Sequence, residues 1–132
     1  MLKLYTTPSC TSCRKAKKWL INHNIEFVEH NIMKEPMKEE DLLRILQLTD
    51  NGTTDIISTR SKVFARLSTD LEKLTVKELI SLIQENPSLL RRPLIVDERR
   101  LHIGYNEDEI RVFLPAEYRK KELATILLMT GI

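Results

Sequence analysis

The stretch TTPSCTSCRK, residues 6–15, holds both cysteines of this 132-residue chain and decides how the rest of the chain is interpreted. Cys10 and Cys13 are separated by two residues. The strand-like alternation of LKLYT, residues 2–6, stops before the cysteines, and a helical pattern begins at Thr11. The cysteine pair is therefore expected at the point where a first strand leads into a first helix.

A strand–helix–strand unit follows from this start. The helix has one apolar face, made of Cys13, Ala16, Trp19, Leu20 and His23. The sequence IEFVE, residues 25–29, alternates again and predicts a second strand soon after the helix. Two strands joined by one helix form a βαβ unit, which requires the strands to be parallel.

The middle of the chain is predicted to be helical. Residues 37–48 and 75–86 read as amphipathic helices, and Thr75 with Glu78 forms a capping-box pair at the start of the second one. Between them, TDNGTTDIISTRSKVF (residues 49–64) predicts a turn followed by short helical pieces and no strand.

The last third predicts a hairpin followed by helices. Residues 94–96 and 100–103 are expected to be its two strands. Asn106 and Glu109 are expected to form the capped start of another helix. Residues 117–129 have the pattern of a final amphipathic helix.

This order of elements predicts an α/β, thioredoxin-like βαβ…ββα fold with a helical insertion and a C-terminal helix. A CxxC between the first strand and the first helix is the redox motif of that fold. We expect a single domain over residues 1–132, with a thioredoxin-like core at about 1–33 and 90–132 and the insertion at about 34–89.

Composition and charge exclude several classes of protein. Apolar content is 42% and charged content 30%, which indicates a globular protein and excludes a disordered one. No stretch resembles a signal peptide or reaches transmembrane length, so we expect a cytoplasmic protein whose thiols are kept reduced. The net charge of +2 is low for a protein that binds DNA by itself.

The spacing of the two cysteines suits a redox switch. At the start of a helix their Cα atoms lie on the order of 5–6 Å apart, within disulfide range. The helix N-terminus favours Cys10 as a thiolate, and Cys13, one turn further on, is more shielded and suits the resolving role. A disulfide bond closing so short a loop would stabilise the folded chain by only roughly 2 kcal/mol, through its constraint on the unfolded chain, so a purely structural role is a weak explanation.

Two other interpretations of the cysteines remain open. A zinc site needs about four ligands, and the remaining candidate side chains are His23, His30 and His102. Alternatively, the cysteines are small buried apolar residues whose spacing is accidental.

Three stretches resemble one family over essentially the whole chain: LYTTPSCTSCRKAKKWL (4–20), NGTTDIISTRSKVF (51–64) and LLRRPLIVDERRLHIGYNEDEIRVFLP (89–115). They are similar to the Spx regulators of the arsenate-reductase-like (ArsC/Spx) family. The resemblance implies a global transcriptional regulator, without enzymatic activity, that senses thiol oxidative stress. It implies binding to the C-terminal domain of the RNA polymerase α subunit, DNA contact only through polymerase, and control by the ClpXP protease with an adaptor. We expect a monomer when free, without cofactor or metal.

The resemblance assigns roles to individual residues. Cys10 and Cys13 match the sensing disulfide pair, and Gly52 matches the glycine at the polymerase contact. We expect the Gly52 turn to be exposed, so that a bulky residue there abolishes binding with little loss of stability. A turn glycine is more often present only because it accepts a positive φ, and that alternative stays open.

The resemblance also implies support for the thiols from Arg60, Arg92 and Pro93. Pro93 matches the proline that faces the CxxC in this fold, and we expect the Arg92–Pro93 bond to be cis. Arg60 could be a plain surface residue, and Arg92 could simply pair with an acidic neighbour such as Glu98.

The competing function is a thiol oxidoreductase of the arsenate reductase or glutaredoxin-like type. Reductases of this family use one nucleophilic cysteine, whereas here Cys13 would trap an oxidised Cys10 and compete with arsenate chemistry. The C-terminus, LMTGI (residues 128–132), does not resemble the usual Spx terminus.

Overall fold

The computed structural model describes residues 1–59, 61–66 and 73–115. The strands are β1 (Leu2–Thr6), β2 (Phe27–Asn31), β3 (Leu94–Val96) and β4 (Leu101–Ile103). The α-helices are α1 (Thr11–Asn22), α2 (Glu39–Leu48), α3 (Thr53–Ile56), α4 (Lys62–Arg66) and α5 (Val76–Glu85). Short 3-10 helices cover Pro87–Leu89 and Glu109–Phe113.

The four strands form one mixed sheet in the order β2-β1-β3-β4. β1 runs parallel to β2, as the βαβ unit requires, and antiparallel to β3, which pairs antiparallel with β4. The predicted hairpin is therefore confirmed, with its second strand beginning at Leu101. The fold is α/β and thioredoxin-like, as predicted; the division into core and insertion stays a prediction.

Successive side chains along the strands point to opposite faces of the sheet, and the two faces belong to two separate apolar clusters. Leu4 of β1 and Ile95 of β3 pack with α1, including Ala16 and Leu20. Their neighbours Tyr5 and Leu94 face the opposite side of the sheet. There they pack against the helices between β2 and β3, whose buried residues include Leu42, Ile45, Ile56, Leu79 and Ile83. The sheet is thus covered on both faces, and α1 is held on one of them.

The second strand begins two residues later than predicted. Asn24 has a φ of +55°, and the N–H of Ile25 donates to the carbonyl of Leu20 at 3.0 Å. The turn that ends α1 therefore includes Ile25, and regular pairing with β1 begins at Phe27. Alternation alone did not reveal how far this turn extends.

The segment between β2 and β3 has the two helices predicted for it, each two residues shorter than predicted. α5 begins with the expected capping box, in which the side chain of Thr75 accepts from the N–H of Glu78 and Glu78 bonds back. Between α2 and α5, the described residues contain α3, α4 and one isolated β-bridge, Ile57 with Leu90, rather than a strand.

The segment after β4 differs from its prediction in helix type. Asn106 lies before its N-cap residue, Asp108, and the Oδ1 of Asn106 accepts from the N–H groups of Asp108 and Glu109 at 2.9 and 3.0 Å. The helix is a five-residue 3-10 helix, since Pro115 follows closely and forces Leu114 into an extended conformation. The predicted helix over 117–129 lies outside the described residues.

Among the helices of the described part of the chain, none could span a lipid bilayer.

Candidate redox site

Cys10 is the N-cap residue of α1. Its backbone is extended, with φ −93° and ψ 113°, and its Sγ accepts a hydrogen bond from the N–H of Cys13 at 3.3 Å. Ser9, at a φ of +62°, turns the chain from β1 into this position. The sulfur of Cys10 therefore lies at the positive end of the helix dipole, beside backbone N–H groups that have no carbonyl partner within the helix.

Cys13 has a different environment from Cys10, although both are free thiols. Cys13 is only 3% exposed, whereas Cys10 is half-buried. Burial first, and then a hydrogen bond with Cys10, raise the pKa of Cys13 to about 12. Cys13 is therefore a protonated thiol at neutral pH, and its shielded position confirms what the spacing predicted.

Two further groups act on Cys13 in the opposite direction. A backbone hydrogen bond with Thr7 and the positive charge of Arg92 each lower its pKa. Thr7 lies in the turn before α1, and sequence reasoning did not identify it. Only a backbone group is involved, so no side-chain type could have signalled it.

The Arg92–Pro93 peptide bond is cis, as predicted. The guanidinium of Arg92 lies within electrostatic reach of Cys13, and its Nη1 approaches the carbonyls of Ser88 and Leu90 at 3.4 and 3.5 Å. Within the described ranges, no ion pair joins Arg92 to Glu98. The charge of Arg92 thus acts on Cys13, whereas Arg60 lies outside the described residues.

Gly52 lies in a turn between α2 and α3. It has φ +79° and ψ −139°, and a Cβ added to it would have no heavy atom within 4 Å. Space is therefore available, but L residues rarely adopt this conformation, and a substitution costs on the order of 1–3 kcal/mol of strain. The expectation that a bulky residue here would cost little stability is wrong for this reason.

The Gly52 turn is fixed by Asp55, which sequence reasoning also missed. The carboxylate of Asp55 accepts from the backbone N–H groups of Asp50 and Asn51 at 3.1 and 3.0 Å. Nδ2 of Asn51 donates to the other oxygen at 3.4 Å. The sequence did carry a signal for this contact, because Asp55 stands four residues after Asn51, the first residue of the Asn-Gly pair.

The three histidines are engaged away from the thiol pair. His23 stacks on Trp19, His30 bonds to the carbonyl of Glu35, and His102 is buried with Glu109 near its Nδ1. Over the described part of the chain, no group of three or more His, Cys, Asp or Glu residues is arranged to hold a metal ion. Nothing in this part of the chain supports the zinc interpretation.

Comparison with known proteins places the chain among close relatives. The model of the ArsC family matches residues 5–113. The global transcriptional regulator Spx of Streptococcus pneumoniae strain R6 is 58% identical over 132 residues, covering 100% of this chain and 99% of that protein. The protein of the same description in Streptococcus mutans UA159 is 61% identical over 123 residues, covering 93% and 90%.

This chain has the same fold as a solved structure of a related protein. The putative ArsC family related protein from Bacteroides fragilis superposes with a TM-score of 0.70 at 33% sequence identity. The match covers 82% of this chain and 92% of that one.

Proposed function

The chain belongs to the ArsC family, and from that premise we propose that it is a global transcriptional regulator controlled by a Cys10–Cys13 thiol switch. It would act by binding the C-terminal domain of the RNA polymerase α subunit. Its relatives at 58–61% identity are named as transcriptional regulators, which supports a regulatory role over an enzymatic one.

One observation supports the proposed switch. The two thiols differ in burial, and the backbone N–H of Cys13 donates a hydrogen bond to Sγ of Cys10 at 3.3 Å. A peroxide would transfer one oxygen to the more accessible Cys10 thiol, which becomes a sulfenic acid, and the other peroxide oxygen would leave as water. The Cys13 sulfur would then attack the Cys10 sulfur. The sulfenic oxygen leaves with the Cys13 proton as a second water, and two electrons have passed to the peroxide.

The same bond would contribute little to the stability of the fold. The chain-entropy model gives roughly 2 kcal/mol for so short a loop. By contrast, a change of about 30 mV in reduction potential corresponds to about 1.4 kcal/mol, so small changes around the pair shift its redox equilibrium. A regulatory role therefore explains this cysteine pair better than a role in stabilising the fold.

The Gly52 turn is the surface we propose for the polymerase contact. Asp50 and Asn51 at its tip are exposed, and no atom crowds the position of a Cβ on Gly52, so a partner can approach the backbone closely. The low net charge of +2 favours contact with DNA only through polymerase.

Backbone bonds join the two regions. The segment after the turn bonds to the segment before cis-Pro93 through Ser58 N to Leu89 O at 2.6 Å and Arg91 N to Ile56 O at 2.8 Å. A rearrangement of Arg92 on oxidation would therefore act on a segment bonded directly to the one that follows Gly52. This is the route by which we propose that the thiol state reaches the polymerase surface.

Further parts of the proposal rest on the family resemblance alone. They are degradation by ClpXP with an adaptor, a monomeric free state and support of the thiols by Arg60. A cytoplasmic location is proposed on the sequence expectation given above. A thiol oxidoreductase is the alternative function, and no contact in the described residues favours it over the regulator.

A paired assay tests the proposal. The reduced chain is used to pull down the isolated α C-terminal domain, and the same preparation is assayed for arsenate turnover with a thiol reductant. Binding without turnover supports the regulator. Turnover without binding would replace it with the oxidoreductase.

A further inference from the structure

Asp55 makes more contacts with the Gly52 turn than any other described side chain. Its Oδ2 accepts from the N–H groups of two consecutive residues, Asp50 and Asn51, and its Oδ1 accepts from the side chain of Asn51. On the other side of the turn, its own N–H donates to the carbonyl of Gly52 at 3.1 Å. One residue thus bonds to the turn both before and after the glycine.

Asp55 is itself anchored at its backbone. Nη1 of Arg91 lies 3.3 Å from the carbonyl oxygen of Asp55, and the neighbouring Ile56 is fully buried. The carboxylate is exposed, and hydrogen bonding, chiefly from the N–H of Asn51, holds the pKa of Asp55 below its usual value of 3.8. At neutral pH it is therefore a charged acceptor held on a fixed backbone.

The turn needs such an acceptor because glycine alone does not fix its own conformation. Glycine has no Cβ, and no heavy atom lies within 4 Å of the position that a Cβ on Gly52 would take, so side-chain packing does not hold the residue at its φ of +79°. The N–H groups of Asp50 and Asn51 point to one carboxylate only while the turn keeps its present shape. Asp55 therefore selects one conformation from the many that the glycine permits.

We propose that Asp55 is a positioning residue for the partner contact at Gly52, holding the turn in the shape that the polymerase α C-terminal domain recognises. This inference rests on the proposed function. A turn that keeps its binding shape only part of the time weakens binding in proportion to the lost population. Loss of the Asp55 acceptor therefore weakens the contact without removing any group that touches the partner at Gly52.

The test compares Asp55→Asn with Glu98→Gln. Each substitution removes one negative charge from the chain. Glu98 is exposed in the turn between β3 and β4, outside the Gly52 turn, so Glu98→Gln controls for the loss of charge alone. Asp55→Glu keeps the carboxylate and is expected to retain most of the affinity.

Affinity for the α C-terminal domain is measured by calorimetry, and hydrogen exchange is measured at the amides of Asp50 and Asn51. We expect Asp55→Asn to lower affinity by about threefold or more and to speed exchange at both amides, with Glu98→Gln close to the parent chain. Equal affinities for Asp55→Asn and the parent would overturn the inference. Absence of binding by the parent chain would refute the proposed function instead.

If Asp55→Asn lowers the unfolding midpoint, Asp55→Glu decides the question. Retained affinity in Asp55→Glu together with protected amides supports the positioning role. Lost affinity in Asp55→Glu with both amides still protected would overturn it.

Discussion

The backbone N–H of Cys13 donates to the sulfur of Cys10 at 3.3 Å, so the two residues of the CxxC are already joined before any disulfide forms. Cys10 is the cap of the helix that Cys13 belongs to. Closing a bond between them therefore spans a turn whose backbone is in place. The unequal burial of the two thiols gives them separate roles.

Alkylation should distinguish the two thiols. In the native reduced chain at neutral pH, Cys10 should react with iodoacetamide at least about tenfold faster than Cys13, because Cys13 is 3% exposed and its pKa is raised to about 12. Peptide mass spectrometry of timed samples measures both rates. Cys10→Ala and Cys13→Ala assign the signals, and equal rates in the parent chain would contradict the assignment of roles.

Stability should fall in strongly alkaline solution. Burial raises the pKa of Cys13 from 9.0 and that of Tyr5 from 10.0, each to about 12 in the folded chain. A raised folded pKa gives stability that is fully present below the unfolded value and is lost as pH rises through the folded one. We therefore expect the free energy of unfolding to decrease between about pH 9 and pH 12.

Cys13→Ala and Tyr5→Phe divide this alkaline loss between its sources. Each variant removes one titrating group, so each should flatten the dependence of the urea midpoint on pH, and the double variant should flatten it further. An unchanged slope in Cys13→Ala would show that Cys13 does not carry its raised pKa in the folded state.

Gly52→Arg and Gly52→Ala separate strain from surface contact. Both place an L side chain at φ +79°, so both should lose a similar amount of stability, on the order of 1–3 kcal/mol. Only arginine adds volume and charge at the partner surface. We expect Gly52→Arg to lose binding to the α C-terminal domain and Gly52→Ala to keep most of it at a temperature where both are folded. Equal loss in the two variants would make the glycine a conformational requirement only.

Arg92→Ala should slow closure of the disulfide after oxidation. The charge of Arg92 lowers the pKa of Cys13, and its removal makes that thiol harder to deprotonate for attack on the sulfenic acid. The lifetime of the sulfenic acid, measured by trapping with dimedone after a peroxide pulse, should increase. Arg92→Lys keeps the charge and should recover a short lifetime. An unchanged lifetime in Arg92→Ala would remove Arg92 from the thiol site.

The parts of the fold that were predictable from sequence are those with a local pattern. The alternation of residues 2–6, the helix beginning at Thr11 and the capping box at Thr75 each follow from neighbours in the chain, and each is confirmed. The cis bond before Pro93 was predicted because a proline in this place of a thioredoxin-like fold faces the CxxC. The position of Cys13 in the core followed from helical periodicity.

The remainder depends on backbone geometry that residue types do not reveal. The start of β2 moved to Phe27 because Asn24 took a positive φ, which the alternation does not encode. The segment at Glu109 became a 3-10 helix because Pro115 stands too close for a longer one. Thr7 was missed because it acts through its backbone alone, whereas Asp55 was missed although its spacing from the Asn-Gly pair was a signal.

The most direct test of the thiol switch is the affinity for the polymerase α C-terminal domain measured by calorimetry on the fully reduced and fully oxidised chain. Cys13→Ala, which cannot close the bond, serves as the control under both conditions. We predict saturable equimolar binding by the parent chain, with an affinity that differs between the dithiol and disulfide forms and does not differ in Cys13→Ala. Equal affinities of the two parent forms would contradict the switch, and absence of binding in both would contradict the proposed partner.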